Sequence, residues 1–402
     1  MNQQFEIVIV GAGLAGLTAA ALLSKGQYHD RLRITVVDAA ERPCHRAAED
    51  IELRVSAIAT GTADLLDSIG AWRTVAATRV GHFDRIRVWD EKGSPESATT
   101  LHFDAADFAV PQLGFIVENT LLQHAILALL DDTDITLRFA CPIRTVHGNG
   151  RRMQLEVGGT DTLDADLVIG ADGARSLVRD SLGIETRDWP YRQTAVVTHL
   201  QPEKSHRNIA WQRCLRTGPL GMLPLPDGRI SVVWTTTKET ADRAMSGDDA
   251  ELGRLLTEAS DHVLGELSVA GARGAFPLCA RYAKQYVLPG VALIGDAAHV
   301  VHPLAGQGAN LGLQDAAMLA AVISHALDEG EHPGDRPVLR RYERARKGIN
   351  ATMLHLMTGL NGVFATDSAI LGELRAIGML LFNRSGPIRA HAVKVALGIG
   401  RS

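Results

Sequence analysis

The sequence predicts an α/β protein: a nucleotide-binding domain with a parallel sheet, interrupted by mostly antiparallel sheet segments and followed by a helical C-terminal region. A β-branched run at residues 5–10 leads into an Ala-rich helix and then a second apolar run at residues 33–38, which predicts a βαβ unit. Alternation of apolar and polar residues over about 79–114 predicts antiparallel strands. The composition suits this fold, because 46% of the 402 residues are hydrophobic and 22% are charged.

The later elements are predicted in the same way, from strand-like runs and from helical spacing of apolar residues. In chain order, they are a helix at 120–130, strands at 155–157 and 163–170, strand-like segments from 193 to about 237, a buried strand at 291–296 and a helix at 312–327. The remainder has helical spacing. We predict a discontinuous domain from residues 1–78, 112–185 and 280–330, an inserted sheet domain from 79–111 and 186–279, and a helical region over 331–402.

Charge and cysteine content exclude several classes of function. Lys and Arg total 41 against 46 Asp and Glu, so the net charge of −5 does not attract nucleic acid. The four cysteines are far apart and form no Cys-x-x-Cys pair, which suits a reducing cytoplasm. The apolar run at 7–23 follows Glu6 and contains three glycines, so it predicts a strand and helix rather than a signal peptide. We expect no transmembrane span and no hydrolytic triad.

The first turn carries a dinucleotide-binding pattern. Gly11, Gly13 and Gly16 join the first strand to the first helix, and Asp38 ends the second strand. The first glycine allows a tight turn, the second allows backbone N–H groups to approach a pyrophosphate, and the third allows close helix packing. An acid at Asp38 suits a ribose hydroxyl, which favours FAD or NAD over NADP.

Two more segments combine a buried strand with a polar turn. Gly295 and Asp296 follow one strand and precede a glycine-rich loop that opens a helix, where a carboxylate and a helix N-terminus can bind a polar ligand. Asp172 and Gly173 follow another strand. The first of these sites could hold the ribityl chain and ring of a flavin.

Together, the three segments resemble the fingerprints of the group A flavoprotein monooxygenases, aromatic hydroxylases with the para-hydroxybenzoate hydroxylase fold. Four segments are more specifically similar to the ubiquinone-biosynthesis hydroxylase branch: residues 52–59, 210–213, 218–225 and 295–315. The similarity extends from Phe5 to about Arg346 and is looser beyond. It implies a Rossmann-like FAD domain with an inserted substrate-binding sheet.

The resemblance also implies cofactor-binding residues. These are Gly11, Gly13, Gly16 and Asp38 for the ADP half of FAD, Gly295 and Asp296 for the ribityl and phosphate portion, Arg54 near the flavin and pyrophosphate, Asp172 and Gly173 towards FAD and nicotinamide, and Ala309 and Asn310 for the pyrimidine edge of the isoalloxazine. Pro303, Gly306 and Gly308 form the catalytic loop along the flavin face, and no acid or base is assigned.

Four residues, at three places in the chain, depart from the family pattern. Asn119, a further candidate FAD contact, stands where relatives often have Arg or Gln. Cys214 replaces an expected aromatic residue, and Gly221-Met222 replaces a more usual Ala-Leu or Ala-Phe. We expect the last two changes to alter the substrate pocket. His299 and His302 lack a third ligand at suitable spacing, so no metal site is predicted.

By resemblance, reduced flavin and O₂ form a C4a-hydroperoxide that an electron-rich phenol attacks in a dry pocket. The implied substrate is a polyprenylated phenol of ubiquinone biosynthesis. The reductant is NAD(P)H or a protein electron donor. The alternatives are a hydroxylase of a small soluble aromatic or secondary metabolite, a reductase with the same fold, and a non-catalytic nucleotide-binding module.

We expect a cytoplasmic protein that reaches this substrate by peripheral contact with the inner face of the membrane. The candidate surface is an apolar stripe at helical spacing over residues 370–382, followed by Arg384, Arg389 and Lys394. Alternatively, the stripe packs on the flavin domain, or a partner in a biosynthetic complex supplies the contact. The basic cluster at 340–347 is interpreted as a solvated face, with a lipid-headgroup or acidic-partner surface as the alternative.

Overall fold

A computed structural model describes residues 4–45, 50–149, 152–159, 161–302, 306–365, 377–383, 385–386, 389–390, 393–394 and 397–398. The strands are β1 Phe5–Val10, β2 Leu32–Val37, β3 Val55–Ala59, β4 Gly81–Phe83, β5 Arg85–Asp90, β6 Leu101–Asp104, β7 Gly114–Glu118, β8 Thr136–Arg138, β9 Ile143–Asn149, β10 Arg152–Val157, β11 Asp161–Ala165, β12 Leu167–Gly170, β13 Thr186–Pro202, β14 Ile209–Leu215, β15 Gly218–Pro224, β16 Ile230–Thr237, β17 Leu267–Ala283, β18 Val287–Leu288, β19 Val291–Leu293 and β20 His299–Val300. The helices are α1 Leu14–Lys25, α2 Thr60–Ser68, α3 Ala71–Thr78, α4 Asn119–Leu130, α5 Leu177–Ser181, α6 Lys238–Ser246, α7 Asp249–Ala259, α8 Gln307–Asp328 and α9 Arg336–Ala365.

A six-stranded sheet in the order β18-β19-β12-β1-β2-β8 forms the centre of the predicted nucleotide-binding domain. The pairs of β1 with β2 and β12, of β12 with β19 and of β2 with β8 are all parallel. Most β1 residues are buried, as expected for a strand covered on both faces, and α1 packs against α8 and α4. The predicted βαβ opening is confirmed.

One predicted strand is wrong, because residues 163–170 form two strands in different sheets. β11 ends at Ala165 and pairs antiparallel with β10, whereas β12 begins at Leu167 and pairs parallel with β1. Asp166 stands between them, and its carboxylate accepts a hydrogen bond from the Glu6 N–H at 2.8 Å. Local apolar character cannot show this change of partner, because pairing is decided by distant strands.

The second large sheet has eight strands in the order β20-β17-β13-β16-β15-β14-β5-β6. On its outer face Leu220, Met222 and Trp234 are buried against α6 and α7. These two helices were not predicted from the sequence. Their N-caps, Thr237 and Asp248, accept hydrogen bonds from backbone N–H groups of the first turn, and this capping pattern was the available signal.

A small sheet, β3-β7-β4, lies between the two large ones, and α9 packs on α8. Val338, Leu339 and Tyr342 of α9 are fully buried in the main core. The helical C-terminal region is therefore confirmed as far as Ala365. Among the residues described, no helix is both long and apolar enough to cross a bilayer.

Candidate functional site

The three predicted turns lie side by side at the carboxyl edge of the six-stranded sheet. The Ala171 N–H donates to the Val10 carbonyl at 2.7 Å, and the Ile294 N–H donates to the Gly170 carbonyl at 2.9 Å. Because β1, β12 and β19 are adjacent and parallel, the turns that follow them meet at one place. The crevice at such an edge is where open α/β sheets bind nucleotides.

The glycines of the first turn have different surroundings. A Cβ on Gly11 would lie 2.3 Å from the Ala171 carbonyl oxygen, and one on Gly16 would lie 2.0 Å from the Gly11 oxygen. A Cβ on Gly13 would meet nothing within 4 Å. Gly13 is also the N-cap residue of α1. Because it has no side chain to accept hydrogen bonds, the first backbone N–H groups of α1 face open space. This cradle fits a pyrophosphate.

Asp38 lies beside this cradle at the end of β2. Its two carboxylate oxygens accept hydrogen bonds from the Ala12 N–H at 2.6 Å and the Ala40 N–H at 2.7 Å. A carboxylate offers about four acceptor sites, so capacity for a ribose hydroxyl remains. Asp38 therefore fixes the glycine turn and can still bind an adenosine ribose.

Arg54 and Asn119 meet on the small sheet. The Asn119 N–H donates to the Arg54 carbonyl at 3.1 Å, and its side-chain oxygen accepts from the Ser56 hydroxyl at 2.6 Å. The exposed Arg54 guanidinium lies 5.3 Å from the ring centroid of Phe276, on the eight-stranded sheet. Asn119 thus positions the segment that carries Arg54, and Arg54 reaches across the space between the two sheets.

Asp172 organises the turn after β12. One oxygen of its carboxylate accepts from the Ser176 hydroxyl at 2.6 Å and the other from the Val178 N–H at 3.1 Å. Gly173 has a φ of +77° and faces open space. The aspartate therefore holds the turn into α5 while the glycine leaves its backbone accessible.

Arg179 connects two of the turns and was missed by sequence reasoning. It is only 2% exposed, and its guanidinium donates to the carbonyls of Ala297 and Ala174, both at 3.2 Å. It thereby joins the Asp172 turn to the turn after β19. Its closeness to the Asp-Gly pair was the only sequence signal for it.

Gly295 and Asp296 form the third turn. Gly295 has a φ of +57°, and a Cβ on Gly312 would lie 3.3 Å from its Cα, so α8 approaches the turn closely. The Asp296 side chain is exposed, yet desolvation by the surrounding protein raises the pKa of its carboxyl, opposed by nearby His299. An aspartate in such a recess can accept hydrogen bonds from ribityl hydroxyls or phosphate-linked waters.

A buried polar cluster holds this turn from behind. Asp315 accepts hydrogen bonds from the Gly295 N–H at 3.1 Å, the Arg346 Nε–H at 2.7 Å and the Asn350 amide at 3.1 Å, and it pairs with His299 at 2.5 Å. Burial would raise the pKa of Asp315, but His299 and Arg346 outweigh it and lower that pKa. Sequence reasoning gave no role to Arg346 or Asn350, because they come from α9.

The start of α8 faces the same crevice. Its N-cap, Gly306, has a φ of +60° and no side-chain cap, and a Cβ on Gly308 would meet nothing within 4 Å. The Asn310 side chain accepts from the Ala59 N–H at 2.9 Å and donates to the Ala57 carbonyl at 2.8 Å, which fixes α8 to β3. The backbone near the half-buried Ala309 is accessible, and the contact of Ala309 and Asn310 with the pyrimidine edge of the isoalloxazine stays a prediction. Pro303 lies outside the described residues.

The inner face of the eight-stranded sheet lies opposite these turns. A row of partly exposed residues crosses it: Val197, Gly221, Val233 and Gly274. A Cβ on Gly274 would lie 3.2 Å from Leu53, next to Arg54, which places this face towards the cofactor crevice. Met222 points to the outer face instead, so the expectation that it alters the substrate pocket is wrong, whereas Gly221 lies on the inner face.

His299 and His302, the pair with metal-like spacing in the sequence, have different partners in the structure. His299 belongs to the Asp315 cluster, and the His302 ring lies 4.8 Å from that of Tyr191. Burial lowers the pKa of His302 to about 4. In the part of the chain that the structure describes, no group of three or more His, Cys, Asp or Glu side chains could hold a metal ion.

A parallel sheet with an open glycine cradle, an acid placed for a ribose and an uncapped second helix at one edge defines a dinucleotide-binding protein. A model of the FAD binding domain family matches residues 4–356. The chain therefore belongs to this family, among its FAD-dependent monooxygenases, and its cofactor is FAD.

Two relatives indicate the branch, and one solved structure shares the fold. The chain is 36% identical over 401 residues to the 3-demethoxyubiquinol 3-hydroxylase of Escherichia coli (strain K12), covering 99% of this chain and 100% of that protein. It is 31% identical over 439 residues to the mitochondrial ubiquinone biosynthesis monooxygenase COQ6 of Homo sapiens, and the match covers 98% of this chain and 92% of that protein. The crystal structure of p-nitrophenol 4-monooxygenase PnpA from Pseudomonas putida DLL-E4 shares the fold, with a TM-score of 0.77, 18% identity and 100% of each chain covered. The predicted resemblance to the ubiquinone-biosynthesis hydroxylases is confirmed.

Proposed function

We propose that this protein uses FAD, O₂ and a reductant to hydroxylate the aromatic ring of a polyprenylated phenol in ubiquinone biosynthesis. The observation that carries the proposal is the meeting of the three cofactor turns opposite an apolar, partly exposed sheet face. Full-length similarity to a 3-demethoxyubiquinol hydroxylase supports the substrate class.

The chain's own residues hold and shield the cofactor. Gly13 and the start of α1 bind the pyrophosphate, Asp38 binds the ribose, and Asp296 binds the ribityl portion. Arg54 lies near the junction of flavin and pyrophosphate. When bound, FAD supplies the redox chemistry with O₂, which protein side chains cannot perform.

The substrate ring occupies the crevice beside Val197, Gly221, Val233 and Gly274. Val197 and Val233 present apolar side chains and the two glycines present none, so the ring displaces water and lies against the cofactor. The two glycines leave room for a planar ring. A dry crevice would also keep water away from the reacting atoms of the substrate and the cofactor.

NAD(P)H is the proposed reductant, with a protein electron donor as the alternative. Support comes from the turn after β12, where Gly173 faces open space and the neighbouring Arg175 is exposed. A cation beside an accessible backbone suits the phosphates of a dinucleotide that binds only transiently.

Peripheral membrane contact is the proposed route to a substrate with a long apolar tail. Of the predicted stripe, Ile377 and Leu381 are 51% and 62% exposed, whereas Phe382 packs against Phe103. Part of the stripe therefore faces the protein and part faces solvent. Residues 370, 371, 374 and 384 lie outside the described residues.

The test is turnover with isotopically labelled dioxygen. The purified protein, NAD(P)H and a phenol with a short prenyl tail should give a product that carries labelled oxygen on the ring. Product formed at the same rate without O₂ would point to a reductase, and a colourless protein that cannot take up FAD would point to a nucleotide-binding module. Expression of the protein in a ubiquinone-deficient strain then distinguishes the two substrate classes. A hydroxylase of the prenylated phenol should restore ubiquinone, whereas a hydroxylase of a small soluble aromatic should not.

A further inference from the structure

A short segment directly before β3, residues 50–54, lies between the small sheet and the eight-stranded sheet. We call it the Arg54 segment, after its last residue. On the side of the small sheet, the Glu52 N–H donates to the Glu118 carboxylate at 2.9 Å, and the Arg54 carbonyl accepts from the Asn119 N–H at 3.1 Å. The backbone of the segment is therefore held at the end of β7.

Arg229, directly before β16, binds the first residue of the Arg54 segment. Both terminal nitrogens of its guanidinium donate to the Asp50 carboxylate, one of them at 3.2 Å. The same side chain is mostly buried and also donates to the Asp227 carboxylate at 2.8 Å and to the Ala270 carbonyl at 2.7 Å. A guanidinium held by several partners presents one fixed geometry to a carboxylate. The start of the segment is thereby tied to the eight-stranded sheet.

Phe276 contacts the other end of the Arg54 segment. It is partly exposed on the inner face of β17, the same face as Gly274. The Arg54 guanidinium lies 5.3 Å from the centroid of the Phe276 ring, within the range of a cation–π contact. An arginine side chain without such a contact samples many rotamers. The ring therefore restricts Arg54 to positions beside the cofactor crevice.

We propose that Arg229 and Phe276 are positioning residues for Arg54, which lies near the junction of flavin and pyrophosphate. Arg229 fixes where the Arg54 segment starts, and Phe276 fixes the direction of the Arg54 side chain. Binding of FAD then costs less conformational entropy, because the guanidinium is already ordered beside the crevice. The proposal rests on the proposed function only in the cofactor contact of Arg54, and not in the identity of the substrate.

A second arginine of the eight-stranded sheet provides a matched comparison. The side chains of Arg273 and its partner Asp249 are 18% and 70% exposed, against 13% and 67% for Arg229 and Asp50. Arg273 also donates to two backbone carbonyls at the end of α6, on the outer face of the sheet. The two arginines are therefore alike in burial and in their kinds of partner, but only Arg229 binds the Arg54 segment.

The experiment measures the affinity of the apoprotein for FAD by the quenching of flavin fluorescence. We expect Arg229→Met and Phe276→Leu each to weaken FAD binding by about fivefold, because each releases the Arg54 side chain. Phe276→Tyr keeps the aromatic face and should bind FAD like the wild type. Arg273→Met should destabilise the apoprotein about as much as Arg229→Met does, while leaving the affinity for FAD unchanged.

The same substitutions in an Arg54→Met background show whether the effect passes through Arg54. We expect Arg54→Met to weaken FAD binding, and we expect Arg229→Met or Phe276→Leu to add less than about twofold to that loss. Phe276→Leu removes no charge and no hydrogen bond, so it tests the proposal even if Arg229→Met fails to fold.

Other outcomes would overturn the proposal. Equal losses of affinity with and without Arg54 would show that Arg229 and Phe276 act on the fold alone. Unchanged affinity in both single variants would show that Arg54 needs no positioning, and tighter binding by Phe276→Leu would show that the ring holds Arg54 away from the cofactor. If Arg54→Met binds FAD like the wild type, Arg54 is not a cofactor contact. Turnover of labelled dioxygen by the wild type is measured separately, so each of these results refutes this proposal and leaves the proposed hydroxylation standing.

Discussion

At the scale of single residues, the three glycines of the first turn serve two different purposes. Gly11 and Gly16 allow backbone segments to approach so closely that a Cβ would collide with a carbonyl oxygen. Gly13 has an ordinary φ of −71° and open space in front of it, so the folded chain itself does not require a glycine there. The space at Gly13 is best explained by a ligand.

We therefore expect Gly13→Val to lose FAD without losing its fold. The added side chain fills the place of the pyrophosphate, and its Cβ would meet no protein atom within 4 Å beyond its chain neighbours. Flavin absorbance per chain and the melting temperature of the apoprotein measure the two effects. Gly16→Val is the contrast, since its collision with Gly11 should destabilise the apoprotein. Full FAD content in Gly13→Val would contradict this assignment.

His302 gives a prediction about pH. Its pKa is about 4 in the folded protein because of burial, against an ordinary value of 6.5 in the unfolded chain. Between these values the unfolded chain binds the extra proton, so stability falls as pH falls from 6.5 towards 4, by at most about 3 kcal/mol.

Urea unfolding of the apoprotein across this pH range measures the effect. His302→Gln should make the free energy of unfolding less dependent on pH, and His147→Gln, at an exposed position, should leave the dependence unchanged. The same pH slope in His302→Gln and the wild type would show that His302 is not the group responsible.

At the scale of elements, α9 contributes to the cofactor site without touching the crevice. Arg346 and Asn350 bind Asp315 of α8, and Asp315 in turn binds the Gly295 N–H. All of these side chains are buried, so no water replaces a missing partner. The turn that carries Asp296 is thereby held by two helices.

We expect Arg346→Leu to lower the free energy of unfolding of the apoprotein by about 3 kcal/mol, because it leaves a buried carboxylate short of a partner. Arg341→Leu makes the same substitution on the same helix, but it removes a half-exposed pair with Glu331 and should cost about 1 kcal/mol or less. Urea denaturation compares the two variants. Equal costs would mean that the Asp315 cluster does not stabilise the fold.

At the scale of the whole molecule, the site depends on two sheets facing each other. The six-stranded sheet supplies the cofactor turns, and the inner face of the eight-stranded sheet supplies the apolar row with Gly221. A Cβ on Gly221 would meet only the Val233 carbonyl at 3.8 Å, so the space above it belongs to the crevice.

Gly221→Val should accordingly raise the KM for the phenol while FAD content stays the same. Gly148→Val is the matched control, because it also lies on a strand and its Cβ would meet only Met153 at 3.9 Å, far from the crevice. Steady-state kinetics with a short-tailed phenol measure the KM of each variant, and flavin absorbance measures its FAD content. An unchanged KM in Gly221→Val would place the substrate elsewhere.

The sequence alone determined the βαβ opening, the glycine turn with Asp38, the two later polar turns and the family, because each depends on residues close together in the chain. Only the tertiary structure revealed the change of partner at Asp166, the bond of Asn310 to Ala59, and the Asp315 cluster with Arg346. Such contacts join residues far apart in the chain, and no local periodicity encodes which distant group a buried polar side chain will meet. The burial that makes these hydrogen bonds necessary exists only after the sheets and helices have packed.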